Sequence, residues 1–333
     1  MSTGSQEAAA AVLRPAWRRH LTTVVTWLVT VPGVIWALVR LLGLERGAPA
    51  VQVVAFTPYA AVASFIPLTI SLLARRWWSA AAAGLACVAL VACVVPRTVG
   101  GPTASAGIEL RVMSTNMRVG GADAGMIVDL VREHRVDVLA VQEITPDAEE
   151  RLNAAGLSTL LPHSERSALE GVVGSALYSR YRLMNGSTRL NPGEFRQVAA
   201  TVEVPGGRAV PVESVHPVPP AEPSRVDVWA AGLRGQTPAS PDGVARVLAG
   251  DFNATVDHAE MRRLIGTGYR DAASAVGLGL TPTWPYAGRL EGLAPPVAID
   301  HVLVDRRIGV RDFRAFTVPG TDHRAIIAIL VLA

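Results

Sequence analysis

Residues 245–253 read Ala-Arg-Val-Leu-Ala-Gly-Asp-Phe-Asn, an apolar run that stops on an acid and an amide. Val247, Leu248 and Ala249 suit a buried strand. Asp251 and Asn253 at its mouth suit a turn, and turn residues of this type can also do chemistry. Four other places repeat the arrangement. Leu110–Asn116 closes on Asn116, and Asp137–Val141 runs into Gln142-Glu143. His216 follows Val212–Val215, while Ile299-Asp300-His301 and Thr321-Asp322-His323 mark the last two strands. One such residue at a strand end is ordinarily a turn or cap residue. Five in one domain place acids, amides and imidazoles where one fold can gather them.

Working outward, Glu109–Asn116 reads as a strand and Ala122–His134 as a helix with Met126, Ile127, Leu130 and Val131 on one face. Val136–Ile144 is a strand, after which Thr145-Pro146-Asp147 supplies an N-cap, a first-turn proline and an early acid. Further strands are expected at 172–179, 195–204, 208–215, 244–250, 299–304 and 326–332, with a helix near 257–266. Many strands with few helices favour a two-sheet layered α/β sandwich over a doubly wound parallel sheet.

The first hundred residues are of another kind. The chain has 333 residues, 50% hydrophobic and 18% charged, with a mean hydropathy of +0.31. Residues 1–100 hold eight arginines against two acids, a net of +6, and residues 101–333 hold 23 against 26, a net of −3. There is no lysine. The overall pI of 9.2 therefore does not describe the polar domain, and it does not argue for a nucleic-acid binder. Cys87 and Cys93 both fall in an apolar run, so neither a disulfide framework nor a thiolate metal site follows from them.

Leu21–Val39, Ala48–Ala74 and Ser79–Pro96 are charge-free for 19, 27 and 18 residues. About 20 apolar residues cross a bilayer core, so three transmembrane helices are expected, at about 21–39, 50–74 and 79–96, in an anchor over residues 1–96. Pro32, Pro58 and Pro67 are compatible with spans. The first run is long for a signal-peptide core and lacks a small-x-small cleavage site, so it reads as retained. Arg14, Arg18, Arg19, Arg75 and Arg76 flank one side and Arg40, Arg46 and Arg97 the other, which favours a cytoplasmic N-terminus and an extracytoplasmic C-terminal domain. Trp17, Trp36, Trp77 and Trp78 fall near the expected interfaces. Arg97–Gly107, RTVGGPTASAG, reads as a flexible linker, and residues 108–333 as the soluble domain.

The strand-end groups suit metal-assisted phosphoester hydrolysis. Hard oxygen donors without cysteine favour Mg²⁺, or Mn²⁺, over Zn²⁺. A carboxylate such as Asp251 can orient and deprotonate water, and an imidazole held by a buried carboxylate can meet a phosphoryl oxygen as charge develops. Asn116, Gln142-Glu143, Gly174–Arg180 (GSALYSR), His216, Gly250–Asn253 (GDFN), Asp300 and Thr321–His323 (TDH) also stand in a familiar order. Over residues 108–333 the chain resembles the endonuclease/exonuclease/phosphatase superfamily of DNase I-like nucleases, inositol-phosphate phosphatases and sphingomyelinases. The resemblance implies a four-layer α/β sandwich of two mixed β-sheets. It implies Glu143 as principal metal ligand, supported by Asn116 and Asp322. Asp251 would position water, Asn253 would hold the phosphate, and His323 would be the catalytic imidazole, oriented by Asp300. His216 matches a second histidine that contacts the scissile phosphate, although Pro217 and Pro219-Pro220 follow it. His163, His258 and His301 read as surface or capping residues, and Tyr178 and Trp284 as packing. Arg196 fits a phosphate contact and a solvated side chain equally.

Such a resemblance fixes phosphoester chemistry, not the substrate. A net charge of −3 without lysine weighs against duplex DNA, whose binding is dominated by phosphate contacts. Spans followed by this domain also resemble the teicoplanin-resistance, VanJ-type membrane proteins of actinobacterial glycopeptide-resistance clusters. That layout implies a lipid-linked phosphate or pyrophosphate of the undecaprenyl type, acted on outside the membrane, with antibiotic resistance following from altered precursor supply. The expected partners are the bilayer and this lipid, not nucleic acid. The alternatives are a membrane-tethered nuclease, a sphingomyelinase-like phosphodiesterase, and a non-catalytic binding protein. The last should have lost its ligands, whereas every matched position is filled.

Overall fold

The structure, a computed structural model, describes residues 16–104, 106–206, 208–286 and 292–332; Arg14 lies outside them. Twelve strands are described: β1 Ile108–Asn116, β2 Val138–Gln142, β3 His163–Ser167, β4 Ser175–Ser179, β5 Leu183–Leu190, β6 Arg196–Val204, β7 Arg208–Val215, β8 Val247–Asp251, β9 Tyr269–Asp271, β10 Asp300–Asp305, β11 Gly309–Thr317 and β12 Arg324–Leu332. They form two six-stranded sheets, ordered β11-β12-β1-β2-β4-β3 and β5-β6-β7-β8-β10-β9. Both are mixed. β1 runs parallel to β2 and antiparallel to β12, and β7 runs parallel to β8, which is antiparallel to β10.

Alternation along the strands builds the layers. Leu110, Val112, Val138 and Ala140 point inward and meet Val212, Val247, Ala249, Val302 and Val304 of the other sheet. Met113, Leu139 and Val141 point outward, under helices that run Ala124–Glu133, Pro146–Ala154 and Leu157–Leu160. The outer face of the second sheet, Val215, Leu248 and Leu303, is covered by helices Val226–Arg234 and Ala259–Gly266 through Trp229, Leu233, Met261 and Leu264. The expected four-layer sandwich is therefore present. Thr145 caps its helix as expected, its side chain accepting from Ala148 N. Strands β3, β5, β9 and β11 were not anticipated. All four are sheet edges, and His163–Ser167 and Leu183–Leu190 are half exposed to exposed along their length, so they lack a hydrophobic signature.

The apolar N-terminal third departs from three uninterrupted spans. In it α1 is Ala16–Leu42, α2 Ala50–Val54, α3 Thr57–Ala63, α4 Phe65–Leu73 and α5 Trp77–Val94. Two helical stretches, Trp17–Leu42 and Trp77–Arg97, are long and apolar enough to cross a membrane. The run expected as a span over 50–74 is broken instead: α2 separates from it, and Thr57–Leu73 is a shorter apolar helix. The physical reason is that α2 packs on the α/β domain. Val51 joins the core beneath Trp229 and Met261, and Gln52 Nε2 donates to Pro220 O at 2.7 Å. Within the bundle Ser79 Oγ bonds Thr30 Oγ1 at 3.0 Å and Ser71 Oγ at 2.8 Å, tying α1, α4 and α5 together. Arg76 donates to Arg19 O at the bundle end remote from the domain.

Arg97, Gly101 and Thr103 are not free chain either. Arg97 is buried against Asp257, Gly101 N donates to Ala275 O at 3.2 Å, and Thr103 N and Val310 N exchange hydrogen bonds with Val310 O and Thr103 Oγ1. The Gly/Ser-rich composition suggests flexibility, but a Cβ at Gly100 would sit 2.5 Å from Ala275 O and one at Gly107 2.4 Å from Leu332 O, so close packing requires glycine there.

Candidate active site

The alternation that fills the core also places the site. Above Leu110 and Val112 on β1 come Ser114 and Asn116; above Val247 and Ala249 on β8 comes Asp251. Asp300 precedes Val302 and Val304 on β10, and His216 follows Val212 and Ser214 on β7. All of these share the inward parity, so the core's top layer is polar. Asp300 and Asp251 are register partners across β10 and β8. Gly250 belongs there because a Cβ would sit 2.0 Å from Val215 O of the neighbouring strand. Glu143 leaves β2 with φ +56°, which turns its side chain toward the same mouth at the expense of backbone strain.

Asn116 joins the two principal carboxylates. Its Nδ2 donates to Glu143 Oε1 at 3.0 Å and to Asp251 Oδ2 at 3.1 Å, while its Oδ1 accepts from Arg118 N at 2.8 Å. Val119 N donates to Glu143 Oε2 and Asn253 N to Asp251 Oδ1, both at 2.8 Å. Asn253 Nδ2 donates to Pro217 O at 3.0 Å, with Asp251 Oδ2 at 3.4 Å. His323 Nδ1 bonds Asp300 Oδ2 at 3.0 Å, and its Nε2 lies 3.7 Å from Asp251 Oδ2. His216 Nε2 lies 3.7 Å from Asp251 Oδ2 and 3.8 Å from Glu143 Oε1.

The electrostatics follow from burial with few cations. Burial pushes the Asp251 carboxyl up to about 7, against the pull of His323. Burial also raises Glu143, opposed first by the Asn116 hydrogen bond. Burial alone would lower His323, but Asp300 and then Asp251 raise it to about 10, so it is an imidazolium at neutral pH. Burial, followed by the His323 charge, drives His216 down to about 3, leaving it neutral. Among the described residues the ion-pair partners of Glu143, Asp251 and Asp300 are these two histidines. Three carboxyl groups facing one imidazolium form a site that a divalent cation fits. Oxygen and nitrogen donors of Asp251, Asp300 and His323 lie within 4.8 Å of one another.

Asn116, Glu143, His216, Asp251, Asn253, Asp300 and His323 are thus gathered at one mouth. Asp322 stands at its rim, 3.6 Å from Arg118 Nε and accepting from Trp284 Nε1 at 3.2 Å. Trp284, read as packing, therefore has a polar tie to the site. Sequence reasoning missed a supporting set of hydroxyls. Ser114 Oγ and Ser214 Oγ hold Gln142 from both sides, Thr283 Oγ1 accepts from Asp300 N, and Thr321 Oγ1 links His323 N to Asn116 O. Strand parity could have found Ser114 and Ser214; the threonines carry no sequence signal. His301 and His258 are not surface residues but buried, with both nitrogens engaged; His163 is exposed. Arg196 is half-buried at the start of β6.

This geometry has known relatives. An endonuclease/exonuclease/phosphatase protein from Beutenbergia cavernae DSM 12333 is similar at 22% identity, with 68% of this chain and 72% of that chain covered and a TM-score of 0.53. A humanized D. rerio TDP2 carrying 14 mutations gives 15% identity, 67% and 98% coverage and a TM-score of 0.54. D. rerio TDP2 complexed with a single-strand DNA product gives 14% identity, 67% and 98% coverage and a TM-score of 0.51. At these identities the likeness establishes the fold. No curated protein sequence matches the chain. The model of the Endonuclease/Exonuclease/phosphatase family matches residues 113–323, from the outward-facing Met113 of β1 to His323 itself, spanning every carboxylate, amide and imidazole gathered above. With most of its length so matched, the chain belongs to the endonuclease/exonuclease/phosphatase family.

Proposed function

We propose that this protein is a membrane-anchored, Mg²⁺-dependent phosphoester hydrolase, acting outside the cell membrane on a lipid-linked phosphate or pyrophosphate. The observation that carries the reading is the clamp between anchor and site. Arg40 at the end of α1 and Arg97 just beyond α5 both bond Asp257, at 2.6 Å and 2.5 Å. Asp257 lies in the connection that begins with Asp251 and Asn253. The two helices long enough to cross a bilayer are thereby held against the loop that leaves the site, which sets the site's height above the membrane. Arg18, Arg19, Arg75 and Arg76 at the remote end of the bundle favour that end as cytoplasmic. Release of phosphate from an undecaprenyl-type carrier would tie the activity to cell-wall precursor supply and so to teicoplanin resistance.

Glu143 would hold the cation, with Asp322 and Asn116 beside it. Bound Mg²⁺ supplies charge neutralisation of the phosphate and of the leaving oxygen. Asp251, kept basic by its surroundings, takes the proton of the attacking water. His323, held as an imidazolium by Asp300, donates through Nε2 to the phosphoryl oxygen on which charge builds. Asn116 fixes the separation of Glu143 and Asp251, and Asn253 contacts the phosphate from the β8 turn. His216, neutral and 1% exposed, offers Nε2 as a donor without adding charge.

The test is phosphate release from undecaprenyl pyrophosphate by detergent-purified protein, with Mg²⁺ and with chelator, beside an Asp251→Ala variant and supercoiled plasmid. Metal-dependent release lost in the variant, with intact plasmid, supports the reading. Nicked plasmid and untouched lipid would overturn it in favour of a tethered nuclease.

A further inference from the structure

A cavity of about 400 Å³ lies where the helix bundle meets the catalytic domain, within the ~300–1,000 Å³ range of ligand pockets. Both parts wall it. Val62, Phe65 and Val91 line it from α3, α4 and α5, and Leu280, Val297 and Ala298 from the domain. Val62 and Phe65 are 74% and 52% exposed, so the cavity is continuous with the apolar surface that the bundle presents outward.

Its polar lining groups are already bonded. Arg97 holds Asp257 through two nitrogens, Thr255 Oγ1 accepts from Asp257 N, and Tyr59 donates to Pro296 O. His301 is engaged at Nδ1 by Asp271 and at Nε2 by Ala254 O. Water in a cavity needs two to four polar partners, and here those groups are committed elsewhere. An apolar occupant leaves every one of these bonds in place.

The domain-side wall is also the rim of the site. Val297 pairs with Trp284 across a β-bridge, and the Trp284 indole donates to Asp322. Three residues beyond Val297 the same segment supplies Asp300, at most ~10 Å of extended chain away. The cavity wall and the site carboxylate Asp300 are thus two ends of one short segment.

We propose that the cavity receives the hydrocarbon chain adjoining the phosphate of the substrate, so that chain length is read at the junction of anchor and domain. This rests on the lipid reading above. The test uses full-length protein in detergent with two substrates of one headgroup, undecaprenyl pyrophosphate and the five-carbon dimethylallyl pyrophosphate. Leu280→Trp and Val62→Trp, which fill the cavity, are expected to lower the long-to-short ratio of kcat/KM about ten-fold. Leu73→Trp, at an 81% exposed position of α4 away from the cavity, should leave the ratio at the wild-type value. An unchanged ratio in both filled variants, or an equal loss on both substrates, overturns the proposal. Wild-type protein that hydrolyses the short ester and never the long one overturns the lipid reading itself. If neither is hydrolysed, a photo-crosslinking side chain at position 280 decides with vesicles containing polyprenyl phosphate: a polyprenyl adduct supports the cavity's role, and none overturns it.

Discussion

Asp251 and Asp257 occupy one connection, six residues apart and 1% and 0% exposed, yet the protein treats them in opposite ways. Asp257 receives two guanidinium groups, Arg40 at 2.6 Å and Arg97 at 2.5 Å, delivered by separate helices. Asp251 receives two side-chain amide N–H groups and a backbone N–H, with imidazoles no nearer than 3.7 Å. Its carboxyl is pushed up to about 7, chiefly by burial. A buried charge with its counter-charges holds structure together, whereas a buried charge without them waits for a ligand. The Asp257 clamp is the satisfied site and the site mouth around Asp251 the frustrated one.

The sharpest way to break this contrast is to neutralise each aspartate in turn. Asp251→Asn should lower kcat about 10³-fold, within the ~10²–10⁴ that a positioned base contributes. Its melting temperature should hold or rise, because an uncompensated buried charge has gone. Asp257→Asn should do the reverse. It strands two buried arginines, for which breaking a buried pair costs about 3–5 kcal/mol, while the folded fraction keeps most of its turnover. Thermal melts and phosphate release on both variants check the pair; equal melting temperatures would erase the distinction.

Asp300→Asn probes the one imidazolium of the site. The His323 pKa lies near 10, above its ordinary ~6.5, because Asp300 and Asp251 outweigh burial. The ion pair's stabilisation is therefore complete below about 6.5 and is lost as pH rises through about 10. The variant should lower kcat about 10²-fold and move the alkaline limb of the pH–rate profile down by more than one unit. A limb that stays in place would remove His323 as the titrating group.

The same contrast explains what the sequence disclosed. Asp251, Asn253, Asp322 and His323 stand in short contiguous motifs at strand ends, where alternation alone tells inside from outside. Gly250 is legible too, since its place is dictated by one neighbouring strand. The clamp was not legible. Arg40 and Arg97 looked like flank charges at span ends, and their shared partner lies 217 and 160 residues away. Nor could hydropathy separate α2, which packs on the domain, from the rest of the run at 48–74: burial in lipid and burial in protein select the same side chains. Gly100 and Gly107 misled for the converse reason, since small residues serve close packing as well as flexibility.

Trp284 tests the border between the two regions with the smallest effect. It bridges Val297 on the cavity side and donates to Asp322 at 3.2 Å on the site side. Trp284→Phe keeps a ring on the bridge and deletes one hydrogen bond to a carboxylate that is only partly shielded. Such a bond contributes about 1.5 kcal/mol at most in this setting, so a loss of kcat of no more than about ten-fold is expected, with KM nearly unchanged. Asp322→Ala should reproduce the loss, and the double variant should add nothing to it, because both remove the same contact. An additive double variant would mean that Asp322 acts at the site independently of the indole, through direct contact with the cation or the substrate. The rim would then belong wholly to the frustrated region, and the border would run between Trp284 and Val297.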